Sequence, residues 1–246
     1  DGVIAPGFDD AAYEILASKK GGAFIVIEAD PDFVPPEREE RELFGLKLIQ
    51  DRNNRGVTLS DLDELKCGAL TPEAKRDLVL ALITLKYTQS NSVGYALGGQ
   101  MIGIGAGQQS RVDCTKLAGS KADVWHLGLH PKVLGLNFKE GVKRQDRINW
   151  RVRFIEGDIT PSEEASFADV LEGPLELLSA DEKASWVQKL DGVSLASDGF
   201  IPFPDNIEQA QKHGVKFVAQ PGGSTRDPDI EAACLNYGIA MVHTGL

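Results

Sequence analysis

Residues 193–243 read VSLASDGFIPFPDNIEQAQKHGVKFVAQPGGSTRDPDIEAACLNYGIAMVH, and this stretch decides the fold. Three short apolar runs, VSLAS (193–197), VKFVAQ (215–220) and GIAMVH (238–243), have the length and composition of buried strands. Helix signals separate them. Asp205 with Glu208 resembles a capping box, Asp227 ahead of Pro228 opens a second helix, and Ser179 with Glu182 opens one upstream. Strands alternating with helices predict an α/β domain with a largely parallel sheet whose ligands gather at strand ends.

Working back towards the start, Asp9 to Ser18 carries helical spacing, Gly21 and Gly22 break it, and AFIVIE (23–28) is a short β-rich run. DFVPPEREE (32–40) is too proline-rich and charged for a core. LFGLKLIQ (43–50) suits strand or helix by periodicity, with strand preferred. Thr71 and Pro72 read as an N-cap and first helical residue, and Leu78, Leu82 and Leu85 then share one face, predicting a helix over 72–86. NSVGYALGGQMIGIGAGQQ (91–109) gives two β-like pieces around a Gly-Gly turn, followed by a helix through Thr115 to Trp125. Lys139 to Ala165 is charged and lacks sustained periodicity. It reads as an exposed excursion between two halves, with a hinge or an interface arm equally open.

Composition narrows the function. A chain of 246 residues with 42% hydrophobic content can bury a core. Its net charge of -11 argues against general nucleic-acid binding, which leaves a basic footprint. No apolar run of about 18 residues and no signal-peptide pattern appears, so neither a membrane span nor export is expected. Cys67, Cys114 and Cys234 are odd in number and lack CxxC or HxE spacing, which excludes an expected zinc site and points to reduced thiols in a cytosol-like compartment. The four histidines form no metal set; His126 and His130 share a helical face without an HExxH pattern.

Four segments carry chemistry. KYTQSNSV (86–93) sets consecutive hydrogen-bonding side chains from Thr88 to Ser92 at a helix exit, suited to a polar ligand, to an ion, or to capping the helix. IGIGAGQQSR (102–111) combines glycines with Arg111, which fits an anion site or a tight hairpin; GK[ST] and GxGxxG are both absent. SDGFIPFPDN (197–206) places Phe200 and Phe203 beside Asp198, Asp205 and Asn206, a mixture suited to a flat heteroaromatic ring or to core phenylalanines and an N-cap. In QPGGSTRD (220–227) Ser224 precedes a helix and would face an anion, unless the segment is a plain turn.

Taken in order, KYTQSNSV, GQMIGIGAGQQSRVDCTKLAGSKAD, SDGFIPFPDN and AQPGGSTRD resemble the C-terminal part of the transformylase domain in the AICAR transformylase/IMP cyclohydrolase family. The likeness runs from DGVIAPGF to GIAMVHTGL and is weakest over Lys143 to Ala165. It implies a cytidine-deaminase-like three-layer α/β sandwich, with a deaminase-like portion at 1–135, a connecting excursion at 136–175 and part of a second deaminase-like subdomain at 176–246. It implies transfer of a formyl group from 10-formyltetrahydrofolate to AICAR, giving FAICAR on the route to IMP, in a homodimer of the cytosol, with a plastid left open. By motif matching, Asn91 would position the formyl group, Arg111 with Asn91 would bind AICAR, and Asp1 and Lys20 match further catalytic positions. Phe200, Phe203, Asp205, Asn206 and Ser224 would line the folate pocket, and Thr88, Ser90, Ser92 and Asp198 would hold a structural potassium ion.

The sequence departs from the family in several places. The KHxxPxG motif, whose histidine is the family's general base, is absent, and the Lys-His dipeptide at Lys212–His213 lies in an unrelated KHGVKF context. The family continues after TGL with an Arg-Leu-Phe-His-His tail, and also carries a cyclohydrolase domain. Ile201 and Pro204 stand where Phe and Arg are usual. The expectation is a fragment, an incomplete chain or a split gene product, with very low activity alone. The competing readings are a noncatalytic nucleotide- or folate-binding module and a zinc-dependent deaminase relative.

Overall fold

The computed structural model describes residues 2–246 and divides into two compact units at the Arg55/Gly56 boundary. Asp1 lies outside the described residues.

In the first unit, β1 (Gly2–Ala5), α1 (Asp10–Ser18) and β2 (Ile25–Glu28) form a strand–helix–strand unit whose strands pair in parallel, Gly2 opposite Ile25 and Ala5 opposite Glu28. The Asp9 carboxylate caps α1 by accepting the Ala12 N–H at 2.7 Å. β3 (Arg38–Leu43) and β4 (Leu46–Asp51) form an antiparallel hairpin turning at Phe44 and Gly45, both at positive φ. LFGLKLIQ is therefore strand on both sides of a turn.

The second unit contains β5 (Glu64–Cys67), α2 (Pro72–Lys86), β6 (Ser92–Leu97), β7 (Gln100–Ala106), α3 (Arg111–Leu127), α4 (Pro131–Leu134), α5 (Arg144–Glu156), α6 (Pro161–Asp169) and α7 (Ala180–Val187). It continues through β8 (Val193–Ser197), α8 (Asp205–Gln211), β9 (Val215–Gln220), α9 (Asp227–Asn236) and β10 (Ala240–His243). The six-stranded sheet runs β5-β10-β9-β8-β6-β7. Only β8–β9 and β9–β10 pair in parallel; β5–β10, β8–β6 and β6–β7 are antiparallel. The largely parallel sheet expected from the sequence is thus corrected to a mixed one. A parallel pairing needs a long crossover, and the short Gly98–Gly99 turn between β6 and β7 leaves no room for it.

Alternate residues of each strand feed opposite faces. Ala96, Ala196, Ala219 and Val242 pack with Leu78, Ala81, Leu82 and Leu85 of α2. Tyr95, Leu195, Val218 and Met241 pack on the other side with residues of α3, α8 and α9. The result is a helix–sheet–helix α/β unit. The Thr71 hydroxyl accepts the Ala74 N–H at 3.1 Å at the start of α2, so Thr71→Ala should cost about 1 kcal/mol, read by urea unfolding.

The glycines of IGIGAG serve this packing. A Cβ on Gly103 would lie 2.1 Å from the Ala118 carbonyl oxygen, and one on Gly105 the same distance from that of Cys114. These two residues let α3 lie directly on β7, and that close approach, rather than a ligand or a hairpin turn, is what requires them. α3 itself begins at Arg111, earlier than the Thr115 start expected, with the Ser110 hydroxyl accepting the Asp113 N–H.

Lys139 to Ala165 is corrected most. Instead of an exposed excursion it contributes α5 and most of α6 to a separate core of Leu127, Val133, Phe138, Phe154, Phe167 and Leu171. Trp150 stacks on Phe167 with centroids 4.7 Å apart and planes 5° apart. The arginines that hid the pattern are part of the packing: Arg151 lies over the Phe138 ring and Arg153 pairs with Glu163.

Two capping expectations resolve differently. Ser179 and Glu182 form the reciprocal box expected of them. Asp205 and Glu208 do not, because Pro204 occupies the N-cap and the Asp205 carboxylate accepts instead from the Asn206 side chain at 2.9 Å. His126 and His130 do not share a helix, since α3 ends at Leu127 and His130 caps α4; both rings pack against Trp186. Among the described residues, no helix is long and apolar enough to cross a membrane, and no three His, Cys, Asp or Glu side chains gather to hold a metal ion.

Candidate functional site

Where β6 begins, α3 begins and β8 ends, the sheet opens into a cavity of about 600 Å³. Its lining includes Asn91, Arg111, Phe200, Phe203, Asp205 and Asn206. The position follows from the topology, because β6 and β8 are neighbours running in opposite directions, which brings the start of one beside the end of the other.

Arg111, the first residue of α3, anchors the site. One guanidinium nitrogen donates to the Ser92 carbonyl at 3.1 Å and to the Asp198 carboxylate, and the other donates to the Asn91 side-chain oxygen at 3.1 Å. The Arg111 and Asp198 side chains are only 10% and 14% exposed, so the pair is largely desolvated. Burial pushes the Asp198 carboxyl up, but the Ser90 hydroxyl, the Ser92 N–H and the guanidinium together hold it below its ordinary value. Gly199 is glycine for a steric reason: a Cβ there would sit 2.6 Å from the Arg111 guanidinium. The Arg111 Nε–H is buried and has no hydrogen-bond partner.

Asn91 is held on every side. Its side-chain N–H groups donate to the Gln108 and Gln109 carbonyls at 3.0 and 3.3 Å, and its backbone carbonyl accepts from the Cys114 thiol at 3.0 Å. Burial pushes that thiol up from its ordinary value, so it stays protonated and serves as a donor. Across the cavity, Phe200 and Phe203 are 49% and 50% exposed, so they are not core residues and present apolar faces to the space between. Asn206 is buried beside them, donating to the Phe203 carbonyl at 3.1 Å and accepting from the Thr115 hydroxyl at 3.3 Å.

The remaining residues singled out in the sequence fall elsewhere. Ser224 is outside the cavity lining; its hydroxyl accepts the Arg226 N–H at 3.1 Å, and the Arg226 guanidinium lies 5.1 Å above the Phe203 ring. Ser90 and Ser92 both contact Asp198, whereas the Thr88 hydroxyl turns back to the Thr84 carbonyl at 2.8 Å. Lys20 belongs to the first unit, at positive φ where α1 ends. His213, of the lone Lys-His pair, bonds Asp123 through Nδ1 at 2.9 Å and does not line the cavity. Sequence reasoning missed Gln109, Ser110, Val112, Gly199 and Pro202 in the lining; all five sit inside motifs it had marked, and only their orientation was unreadable.

Residues 1–121 match the model of the AICARFT/IMPCHase bienzyme family. Along 99% of its length the chain is 31% identical to the bifunctional purine biosynthesis protein PurH of Ruegeria sp. (strain TM1040), and equally so to that of Dinoroseobacter shibae. It spans 36% of the length of these relatives. The chain belongs to the AICARFT/IMPCHase bienzyme family and corresponds to about a third of its bifunctional members.

Proposed function

We propose that the cavity is the substrate-holding wall of an AICAR formyltransferase in purine biosynthesis, within a cytidine-deaminase-like fold. The observation that carries this reading is the convergence of three separate motifs, through Asn91, Arg111, Phe200, Phe203, Asp205 and Asn206, on one space large enough for a heteroaromatic ligand. Phe200 and Phe203 would pack on the pterin of 10-formyltetrahydrofolate while Asp205 reads its edge and Asn206 holds the loop. Arg111, which lines the same space, would receive AICAR.

In the transfer, the AICAR amine attacks the formyl carbon, negative charge grows on the formyl oxygen, and as the carbonyl re-forms the bond to folate nitrogen breaks; that nitrogen takes up one proton and the attacking amine loses one. Donors fixed in advance stabilise that oxygen without reorganising. Arg111 is fixed in this sense by its hydrogen bonds to Ser92, Asp198 and Asn91; Asn91, whose side-chain N–H groups are already given to the Gln108 and Gln109 carbonyls, holds the guanidinium through its side-chain oxygen. No histidine lines the cavity, so these residues bind and orient, and proton removal is not assigned to any of them. The same observation supports binding without turnover by the chain alone. Lys20 and Asp1 remain further catalytic assignments on motif matching, and the homodimer and the cytosol belong to the same reading.

Potassium fits poorly. Asp198 already faces the Arg111 guanidinium and Thr88 is bonded back to its helix, so no step is routed through such an ion.

Calorimetric titration of the 246-residue chain with AICAR and with 5-formyltetrahydrofolate tests the proposal. Both should bind. Phe200→Ala should weaken the folate about tenfold, or about 1.4 kcal/mol, and leave AICAR unchanged. Failure of both ligands to bind would overturn the reading.

A further inference from the structure

Two loops follow adjacent parallel strands: residues 198–204 after β8, carrying Phe200 and Phe203 of the cavity wall, and residues 221–226 after β9, carrying Ser224. Neither is regular structure, so their relative position depends on side chains. One side chain links them, bonding the first loop directly and the second through Asp227. Gln220, the last residue of β9, is completely buried. Its side-chain oxygen accepts the Ile201 N–H at 2.6 Å. Its amide nitrogen lies 3.2 Å from His243 Nε2 and 3.5 Å from the Asp227 carboxylate. That carboxylate's other oxygen accepts the Gly223 and Ser224 N–H groups at 2.8 and 3.1 Å.

The chain of contacts therefore runs Ile201 N–H, Gln220 amide, Asp227 carboxylate, Gly223 and Ser224 N–H. It joins the aromatic loop to the serine loop, from the buried Ile201 and Gln220 out to the half-buried Asp227 and Ser224 and the exposed Gly223. A buried amide is costly to leave unpaired, so an arrangement satisfying both of its ends is strongly preferred over one satisfying a single end. Ile201, itself buried, fixes the middle of the aromatic loop.

We propose that Gln220 is a positioning residue that sets the spacing between the Phe200–Phe203 wall and the Ser224 loop, and so governs how tightly a flat ring packs against that wall. The second half of this statement rests on the ligand reading above; the first does not. Gln220 touches no ligand and acts only through the two loops.

The test uses the full chain with Gln220→Met, which keeps the volume and removes the bonds to Ile201, Asp227 and His243, and Gln220→Glu, which keeps the acceptor for Ile201 and sets a second carboxylate against Asp227. The readouts are amide hydrogen exchange and proton chemical shifts at Ile201, Gly223 and Ser224, with 5-formyltetrahydrofolate affinity measured in parallel. In Gln220→Met all three amides should exchange about tenfold faster and Ile201 should move upfield. In Gln220→Glu the Ile201 signal should stay while Gly223 and Ser224 loosen. Folate affinity should fall about tenfold in Gln220→Met.

A filler role would leave the amides of the Met variant unchanged, and that result would overturn the proposal, as would loosening of one loop only. Loosened loops with unchanged folate affinity would overturn the second half. If the unaltered chain bound no folate while both loops loosened together, the ligand reading would fail and the loop coupling would stand.

Discussion

Arg111→Met should destabilise the chain by about 3–5 kcal/mol and abolish AICAR binding. The penalty comes from what is left behind: Asp198 is 14% exposed, and removing the guanidinium strands its carboxylate in a desolvated position. Urea unfolding would measure the loss, and titration with AICAR the binding. Adding Asp198→Asn should recover much of the stability, because the stranded charge is then gone, but none of the binding.

The pH dependence follows from the direction of the Asp198 shift. In the unaltered chain the carboxyl is held below its ordinary value of 3.8, so its contribution is fully present above that value and is lost as pH falls through the lower folded one. In Arg111→Met, burial is less opposed and the carboxyl titrates higher. The deficit should therefore be greatest near neutral pH and shrink towards about pH 4, where protonation neutralises the stranded group. A deficit independent of pH would contradict this account.

Phe167→Ala should cost about 3–5 kcal/mol, the usual range for emptying a fully buried aromatic position. Phe167 stacks on Trp150 and meets Phe154 edge to face at 6.2 Å, so its removal leaves both without their main partner. The loss should be local first. Amide exchange across Trp150 to Ile155 should accelerate well before that of β6 or β8, because the helical core and the sheet's two faces are separate clusters. Uniform acceleration across the sheet would show the two to be a single cooperative unit.

Local signals were legible in the sequence. Thr71–Pro72 with Leu78, Leu82 and Leu85 gave the bounds of α2, and Ser179–Glu182 gave a real capping box, since both depend on residues within a few turns. Sheet order was not legible, because β6 pairs with β7 beside it in the chain and with β8 about a hundred positions on. Lys139 to Ala165 misled because arginines with long apolar stems interrupt the hydrophobic count while packing against Phe138 and Trp150. The site was legible as motifs but not as a constellation: Arg111 meets Asp198 across 87 positions, and the Gly103 and Gly105 contacts lie with a helix that follows them.

The placement of the tryptophans sets what light can report. Trp150 and Trp186 pack against the helical core, and Trp125 lies on α3 beside His126; none borders the cavity. Trp150 lies face to face with Phe167, and Trp186 sits between two imidazoles and the Lys189 ammonium, so the emission of these two is set by quenching contacts within that lobe. An unfolding curve followed by intrinsic fluorescence is therefore weighted towards the helical lobe, with Trp125 reporting on the sheet core it packs against. A ligand filling the cavity could bind stoichiometrically and leave the emission spectrum where it was.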